Sequence, residues 1–594
     1  MTKIYIRISS FFIAFISVFQ LYGSTEDVVF TALQDEMERS MQELQYKDYE
    51  KPFFISYELN KKENIRIEAK LGTIIYSQKR KSNLPGMRLM VGDYQMTDEK
   101  FSDKVNRVNH NDGGAPLPVE DDYWAIRRTF WIMTNNTYKN AAVQYRNKQT
   151  ALQENEMTKS DLPSPDFSRE EPNELVLDNL PDELSIDELE DWAREISLVF
   201  KEDDRIVNSA VNVEYLNNTR YFINTEGTKL RIPYRFYFIR IKASAYNSVN
   251  LLEEQYLNYY AKSVAELPDV ETIKKDARHL ANNVVITANA ELFRGIYEGP
   301  VLLKQEAVSE ILLQEFLQKG SGLISEPKPI INTSSRGLYL SQHQTWEDRI
   351  GQKVVDKSIT VYSLPVLESY NGIPLLGTTT KIDLEGVARK DTLLLIERGK
   401  LRSQFNNRLP NTMQLNSNGN QNFYVSRSSV SDRVGPDVLK FNITEKRPVA
   451  DMKSQLKELA IEEELDYMFI VRPMESSANK APLSYYKVDV RSGEATLVRC
   501  NPYLAGIGAL KNLEAVSDRN AVHNFLMPDR ASINKRMESY KTAPPDVKNI
   551  LLAGMALQGT PTSFIYPDAI LLKNAEIKGS NQSLKSKLPV VPRP

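Results

Sequence analysis

Apolar positions set the first expectations. Phe30, Leu33, Met37, Met41 and Leu44 recur at helical spacing, behind acidic residues that complement a helix start, and predict a helix with one buried face. Three β-rich runs follow, at 53–59, 65–75 and 87–94, separated by Lys, Asn and Gly-containing stretches, and read as three strands. A second helix is predicted from Asp121 and Asp122 onward, burying Tyr123, Ile126, Phe130 and Met133. Residues 160–189 turn acidic and carry Pro163, Pro165, Pro172 and Pro181, which is a linker signal. Its scattered leucines and Trp192 place it against the body, leading into a helix. Residues 206–245 read as strands and 269–293 as a helix closed by Arg294 and Gly295, where the main domain boundary is expected. Beyond it, runs of Val, Leu, Ile and Tyr between Gly and Asn turns predict a mainly β half with one helix near 452–464.

The fold class expected is therefore α+β in two domains, 24–295 and 296–577. The first holds a sheet with flanking helices and the acidic linker, and the second is a mainly antiparallel β domain. A basic, Pro-containing tail, 578–594, is expected to be flexible.

The chain start changes the picture of location. Lys3 and Arg7 precede the apolar run from Phe11 to Phe19, then Leu21, Tyr22, Gly23 and Ser24 before Glu26 and Asp27. This is the pattern of a cleavable signal peptide over residues 1–23. It implies export, with the periplasm as the expected location and a mature start near Gly23 to Thr25. A retained anchor is the other reading. The apolar run is short for a span of about 20 residues, and no later segment approaches that length, so no membrane span is expected after cleavage.

Composition excludes more than it proposes. The 594 residues hold 75 Lys and Arg against 78 Asp and Glu, a net charge of −3. With the cations spread along the chain, no nucleic-acid partner is expected. The single cysteine, Cys500, reads as packing at a strand end, and the four histidines, His110, His279, His343 and His523, show no ligand spacing. No G-x-S-x-G elbow and no phosphate-binding G-x-x-x-x-G-K-[ST] loop occurs.

A resemblance supplies the sharper hypothesis. The run from Tyr297 to Leu303, followed by Glu306 to Val308 and Ile311 to Leu313, resembles the approach to the H-E-x-x-x-H helix of the TldD/PmbA family of metallopeptidases. The motif itself reads Gln314, Glu315, Phe316, Leu317, Gln318, Lys319 here. Ala553, in the run to Pro561 that keeps Gly554 and Gln558, stands where the family has its late Cys ligand. Further short segments are similar in order: Tyr221 to Gly227, Trp346 to Gly351, Asp383 to Val387 and Leu395 to Leu401, the last a hairpin turn whose Gly takes positive φ. Ser417, Asn418, Gly419, Asn420 and Gln421 lack the His and Arg of the corresponding family segment.

The resemblance implies that Gln314, Lys319 and Ala553 are degenerate metal positions. No catalytic residue is assigned, and Glu315 is left as a vestigial base, read as a solvated helix glutamate. No metal and no cofactor are expected. Two ligands five residues apart lie about 140° apart on a regular helix, so the family helix must distort. The function implied is a pseudoenzyme: a non-catalytic subunit or peptide-binding scaffold of a peptidase assembly. Its partner would be a second copy or a catalytic TldD-like subunit, and its ligand an unfolded peptide. The alternative is an active divergent metallopeptidase with zinc at a relocated site.

Overall fold

The computed structural model describes residues 27–102, 117–248, 252–318, 322–325, 328–333, 337–340, 346–426, 430–504, 509–528 and 558–579. The segment 1–23, Lys319, Ala553, Gly554, His110, His343 and the chain after Gly579 lie outside the described residues.

Helix α1 (Val28–Glu43) starts where Asp27 accepts the amide of Val29 at 3.0 Å, and it buries Phe30, Leu33 and Met37 as its spacing predicts. The three strands expected next are two. β1 (Pro52–Lys70) and β2 (Thr73–Val91) form one hairpin of 19-residue strands, closed by Leu71 (φ 50°) and Gly72 (φ 79°). The polar run Lys61 to Asn64 does not break β1, because the strand is central. It pairs with β2 on one side and β3 (Ile206–Asn224) on the other, so its backbone groups are satisfied whatever its side chains. β4 (Lys229–Tyr246) and β5 (Leu252–Ala261) continue the sheet, and the acidic linker adds the short strand Glu174–Val176 beside β4.

Odd-numbered side chains of β1 face the helices. At one end Ile55, Tyr57 and Leu59 pack with α1 and α2 (Tyr123–Glu154). At the other, Ile65, Ile67 and Ala69 pack with α3 (Ile186–Leu198) and α4 (Val270–Asn289). Helix α4 stops at Asn289, short of the expected 293, because Glu291 and Leu292 pair with a C-terminal strand. Even-numbered side chains face the second domain.

That domain holds two larger sheets. In one, β6 (Ile296–Lys304) lies parallel to β10 (Tyr467–Pro473), which continues through β11 (Leu483–Asp489) to β12 (Ala495–Leu504). The other contains β7 (Ile359–Ser363), β8 (Leu393–Glu397), β9 (Val438–Ile443), β13 (Asn520–Met527) and β14 (Thr560–Pro567). A last strand, β15 (Ala569–Gly579), pairs antiparallel to β6 and stays in the sheet for two residues of the expected tail. Cys500 sits in the middle of β12 rather than at a strand end.

The short helix α5 (Glu306–Leu313) lies between these two sheets. Ala307, Val308, Ile311 and Leu312 share one core with Val301 and Leu303 of β6 and with Val361, Phe441 and Phe564 of the other sheet. On the outer face of the first sheet, α6 (Val449–Glu462) covers Leu302, Met468 and Leu571. Among the described residues no helix is long and apolar enough to cross a membrane.

Candidate functional site

Two elements bracket the candidate helix. β6 delivers the chain to Gln305, whose φ of 51° turns it sharply, and its amide is held by the carbonyl of Asp568 at 2.6 Å. α5 is buried on nearly every side, which a helix between two sheets requires. At Gln314 the helix changes character: residues Gln314–Gln318 form a π-helical turn. Such a turn closes i→i+5 hydrogen bonds, so positions five apart return toward the same side, as a five-residue ligand spacing demands. Phe316 anchors the turn, with ring centroids 5.3 Å from Phe441 and 6.3 Å from Trp346. Its exit is held by Leu323, which donates to the Phe316 carbonyl at 2.8 Å, and by Phe405, which donates to Leu323 at 2.7 Å.

Gln314 and Glu315 therefore sit together in one distorted turn, both partly exposed. Glu315 is not a solvated helix glutamate: it is half-buried and has a partner. Ala553, at the position of the family's late Cys ligand, lies outside the described residues. Its downstream strand does reach the site, since Phe564 of β14 stacks edge-on to Phe441 at 5.0 Å, and Phe441 contacts Phe316.

Beside the turn lies a buried amide network. Asn406 and Asn418 exchange backbone-to-side-chain hydrogen bonds at 3.1 and 2.8 Å, and Gln404 donates to the Gly322 carbonyl at 2.6 Å. Asn420 donates to Asp437, which burial pushes up to about 6. The Ser417 to Gln421 segment thus performs structural hydrogen bonding with amides.

The polar face of α5 was missed by sequence reasoning. Glu306, Ser309 and Glu310, at i, i+3 and i+4, face inward to residues from distant elements. Ser309 Oγ lies 2.5 Å from His523 Nδ1, and Lys480 Nζ lies 2.9 Å from Glu310. Burial pushes His523 down to about 4 and Glu306 up to about 8, so at neutral pH the imidazole and the Glu306 carboxyl are both uncharged. Ser309 and His523 are only 1% and 5% exposed, so this pair packs the core and does not meet a substrate. The E-x-x-S-E spacing was the available signal, but it names no partner. His279 is exposed on α4, and burial pushes the Cys500 thiol up to about 12, away from reactivity.

A zinc site needs about three nitrogen, thiolate or carboxylate ligands. Gln314 presents a neutral amide, Lys319 brings a cation and Ala553 brings no donor. Among the described residues no three His, Cys, Asp or Glu side chains converge to hold a metal. The residues at the motif positions do not fit zinc.

Residues 298–485 match the family model of the PmbA/TldA metallopeptidase C-terminal domain. No curated protein matches the chain. Among solved structures, TldE from Thermococcus kodakarensis is similar with a TM-score of 0.51 at 15% identity, over 93% of this chain and 100% of that one. A protein described as a modulator of DNA gyrase from Bacteroides thetaiotaomicron is similar with a TM-score of 0.50 at 10% identity, over 93% and 99% of the two chains. These structures share its fold, and the matched domain spans β6, α5 and the π-helical turn. Residues 298–485 therefore carry the C-terminal domain of the PmbA/TldA metallopeptidase family, and the chain as a whole shares the fold of these solved structures.

Proposed function

We propose that this chain is an exported, non-catalytic member of the family, which holds unfolded peptides or scaffolds a peptidase assembly. The observation that carries the reading is the turn at Gln314–Gln318: it has the distortion that a five-residue ligand pair needs, yet it presents an amide at its first position. Without a ligated metal, Glu315 has no bound water to deprotonate. The outer strand β2 supports peptide holding. Among the described residues its only extended pairing is with β1, so the edge from Thr73 to Ser82 is open to strand addition by an extended chain. Exposed Lys79, Arg80 and Lys81 oppose pairing between two such edges while leaving the backbone groups available. The partner is a second copy or a catalytic TldD-like subunit, and the N-terminal pattern supports action in the periplasm.

Zinc content by plasma mass spectrometry and chelator-sensitive cleavage of denatured casein test the reading on the mature-length chain. The expected outcome is no stoichiometric zinc and no cleavage. Stoichiometric zinc together with cleavage that Glu315→Ala abolishes would overturn it and select the active-peptidase alternative.

A further inference from the structure

Helix α2 carries two apolar stripes and buries one. Ile126, Phe130, Met133 and Ala141 close the core beneath it. Trp124, Trp131 and Ile132 lie on the outward side and are 64%, 48% and 54% exposed. Positions 124, 128, 131, 132, 135 and 139 share one side of a helix with 3.6 residues per turn, so the apolar side chains flank exposed Arg128 and run toward exposed Lys139. The Trp124 ring has a neighbour that holds it: Arg127, which donates to the Tyr123 hydroxyl at 2.9 Å and to Glu36 at 3.3 Å, lies 5.6 Å from its centroid. A surface helix needs one apolar stripe to pack on its core, and a second that bears two tryptophans marks an interface.

The charges along the stripe indicate what covers it. Glu120, Asp121 and Asp122 stand immediately before α2, whereas from Tyr123 to Gln153 the helix has no acid and carries Arg127, Arg128, Lys139, Arg146 and Lys148. One end is acidic and the rest is basic, so the stripe complements itself when reversed. Parallel packing of two such helices would set like charges together. Antiparallel packing about a two-fold axis at Trp131 and Ile132 sets Lys139 over Trp124 of the second copy, with Glu120 and Asp122 of that copy about one turn away. It also keeps the two Arg128 side chains about 10 Å apart along the axis. An anionic lipid surface fits less well, because α1, packed beside α2, adds exposed Glu38 and Glu43 to the acids at the start of α2. At their exposures the two tryptophans offer roughly 250 Å² of apolar surface, about a third of the ~800 Å² that a stable interface takes from each partner.

We propose that the outward face of α2 is a homodimer surface, on which Trp124, Trp131 and Ile132 meet the same stripe of a second copy running antiparallel. This pairing narrows the assembly proposed above to a second copy and rests on that reading for its partner; zinc content and casein cleavage decide that reading separately.

Sedimentation velocity on the mature-length protein between about 1 and 100 μM tests the pairing, and the expected result is a monomer–dimer equilibrium with Kd below about 10 μM. Trp131→Arg, at an exposed position, should raise Kd at least about tenfold, as loss of a central aromatic does. Lys139→Glu should raise it about threefold or more, and adding Glu120→Lys, which restores the complementarity, should recover most of that loss. A short bismaleimide should join the Ile132→Cys protein into a covalent dimer. Thr150→Cys, about 28 Å from the axis along the same helix, should cross-link no more than the wild type with its one Cys500. A monomer throughout the range, a Kd that moves less than about twofold in Trp131→Arg, or equal cross-linking of the two cysteine variants would each overturn the pairing. Failure of the charge swap to recover affinity would overturn the antiparallel arrangement. A monomer that binds phosphatidylglycerol vesicles, and loses them in Trp131→Arg, would overturn the second copy as occupant and assign the stripe to a lipid surface. A zinc-free, inactive monomer leaves the pseudoenzyme reading standing and removes only the pairing.

Discussion

The two faces of the N-terminal sheet are built from the same strands and obey different chemistry. On the helix side Ile65, Ile67, Val211, Val213, Ile239 and Ile241 are all within 2% of full burial and pack with α3 and α4. On the other side, ionic groups lie between the sheet and the second domain. Arg220 joins Glu58 at 2.8 Å to Asp432 at 2.9 Å, and Arg88 joins Glu99 to Glu385 at 3.0 Å. Arg408, 1% exposed, forks onto Glu226 at 2.6 and 2.7 Å, donates twice to the Ser168 carbonyl and lies 4.0 Å over the Phe167 ring. One face is stabilised by apolar area alone, and the other combines smaller apolar clusters with paired charge.

The largest expected effect breaks a pair on the ionic face. Arg408→Ala leaves Glu226 buried and uncompensated, and should cost about 3–5 kcal/mol in urea denaturation. The double variant Arg408→Met, Glu226→Leu should lose clearly less, since no orphan charge remains. A double variant as unstable as the single would show that packing, not charge, holds the domains together.

On the helix face the response should scale with area. Ile239→Val removes one methylene from a fully packed position and should cost about 1 kcal/mol, within the usual 0.5–1.5 range. A loss as large as that of Arg408→Ala would erase the contrast between the faces.

Lys62→Met should be neutral or stabilising by up to about 1 kcal/mol, because it removes a largely buried amine that the charges of Arg80 and Arg66 disfavour. Clear destabilisation by urea denaturation would mean that the amine already has a counter-ion.

A separate contrast is in pH dependence, with opposite signs in two places. Burial raises Glu306 of α5 from its ordinary 4.5 to about 8, so its stabilising contribution is complete below pH 4.5 and is lost as pH rises through 8. Lys62 is depressed from 10.5 to about 8, so its contribution is present above pH 10.5 and is lost as pH falls through 8. Difference curves of wild type against Glu306→Gln should therefore fall between about pH 4.5 and 8. Those against Lys62→Met should rise between about pH 8 and 10.5. Either slope with the reverse sign would remove the assigned cause.

The sequence by itself determined the local elements. Helical spacing and acidic caps place α1, α2 and α4, whose Asp27, Asp122 and Asp269 accept first-turn amides. The turn chemistry of Arg398 and Gly399, both at positive φ, places the hairpin after β8. The arrival of the chain at Gln314 and Glu315 on a helix was also legible, because the apolar run of α5 is continuous. Tertiary structure decided what the polar residues do. An alternating strand reads as one dry face and one wet face, yet the face of Glu58 and Arg220 is covered by a domain that follows hundreds of residues later. The turn residues Glu226 and Glu385 stood in short motifs with no assigned task. Their arginine partners lie 182 and 297 residues away in sequence. The same holds for Ser309 and His523, 214 residues apart. Propensity and periodicity act over one or two turns of chain, whereas the pairing of buried charges is set by which surfaces the fold brings together.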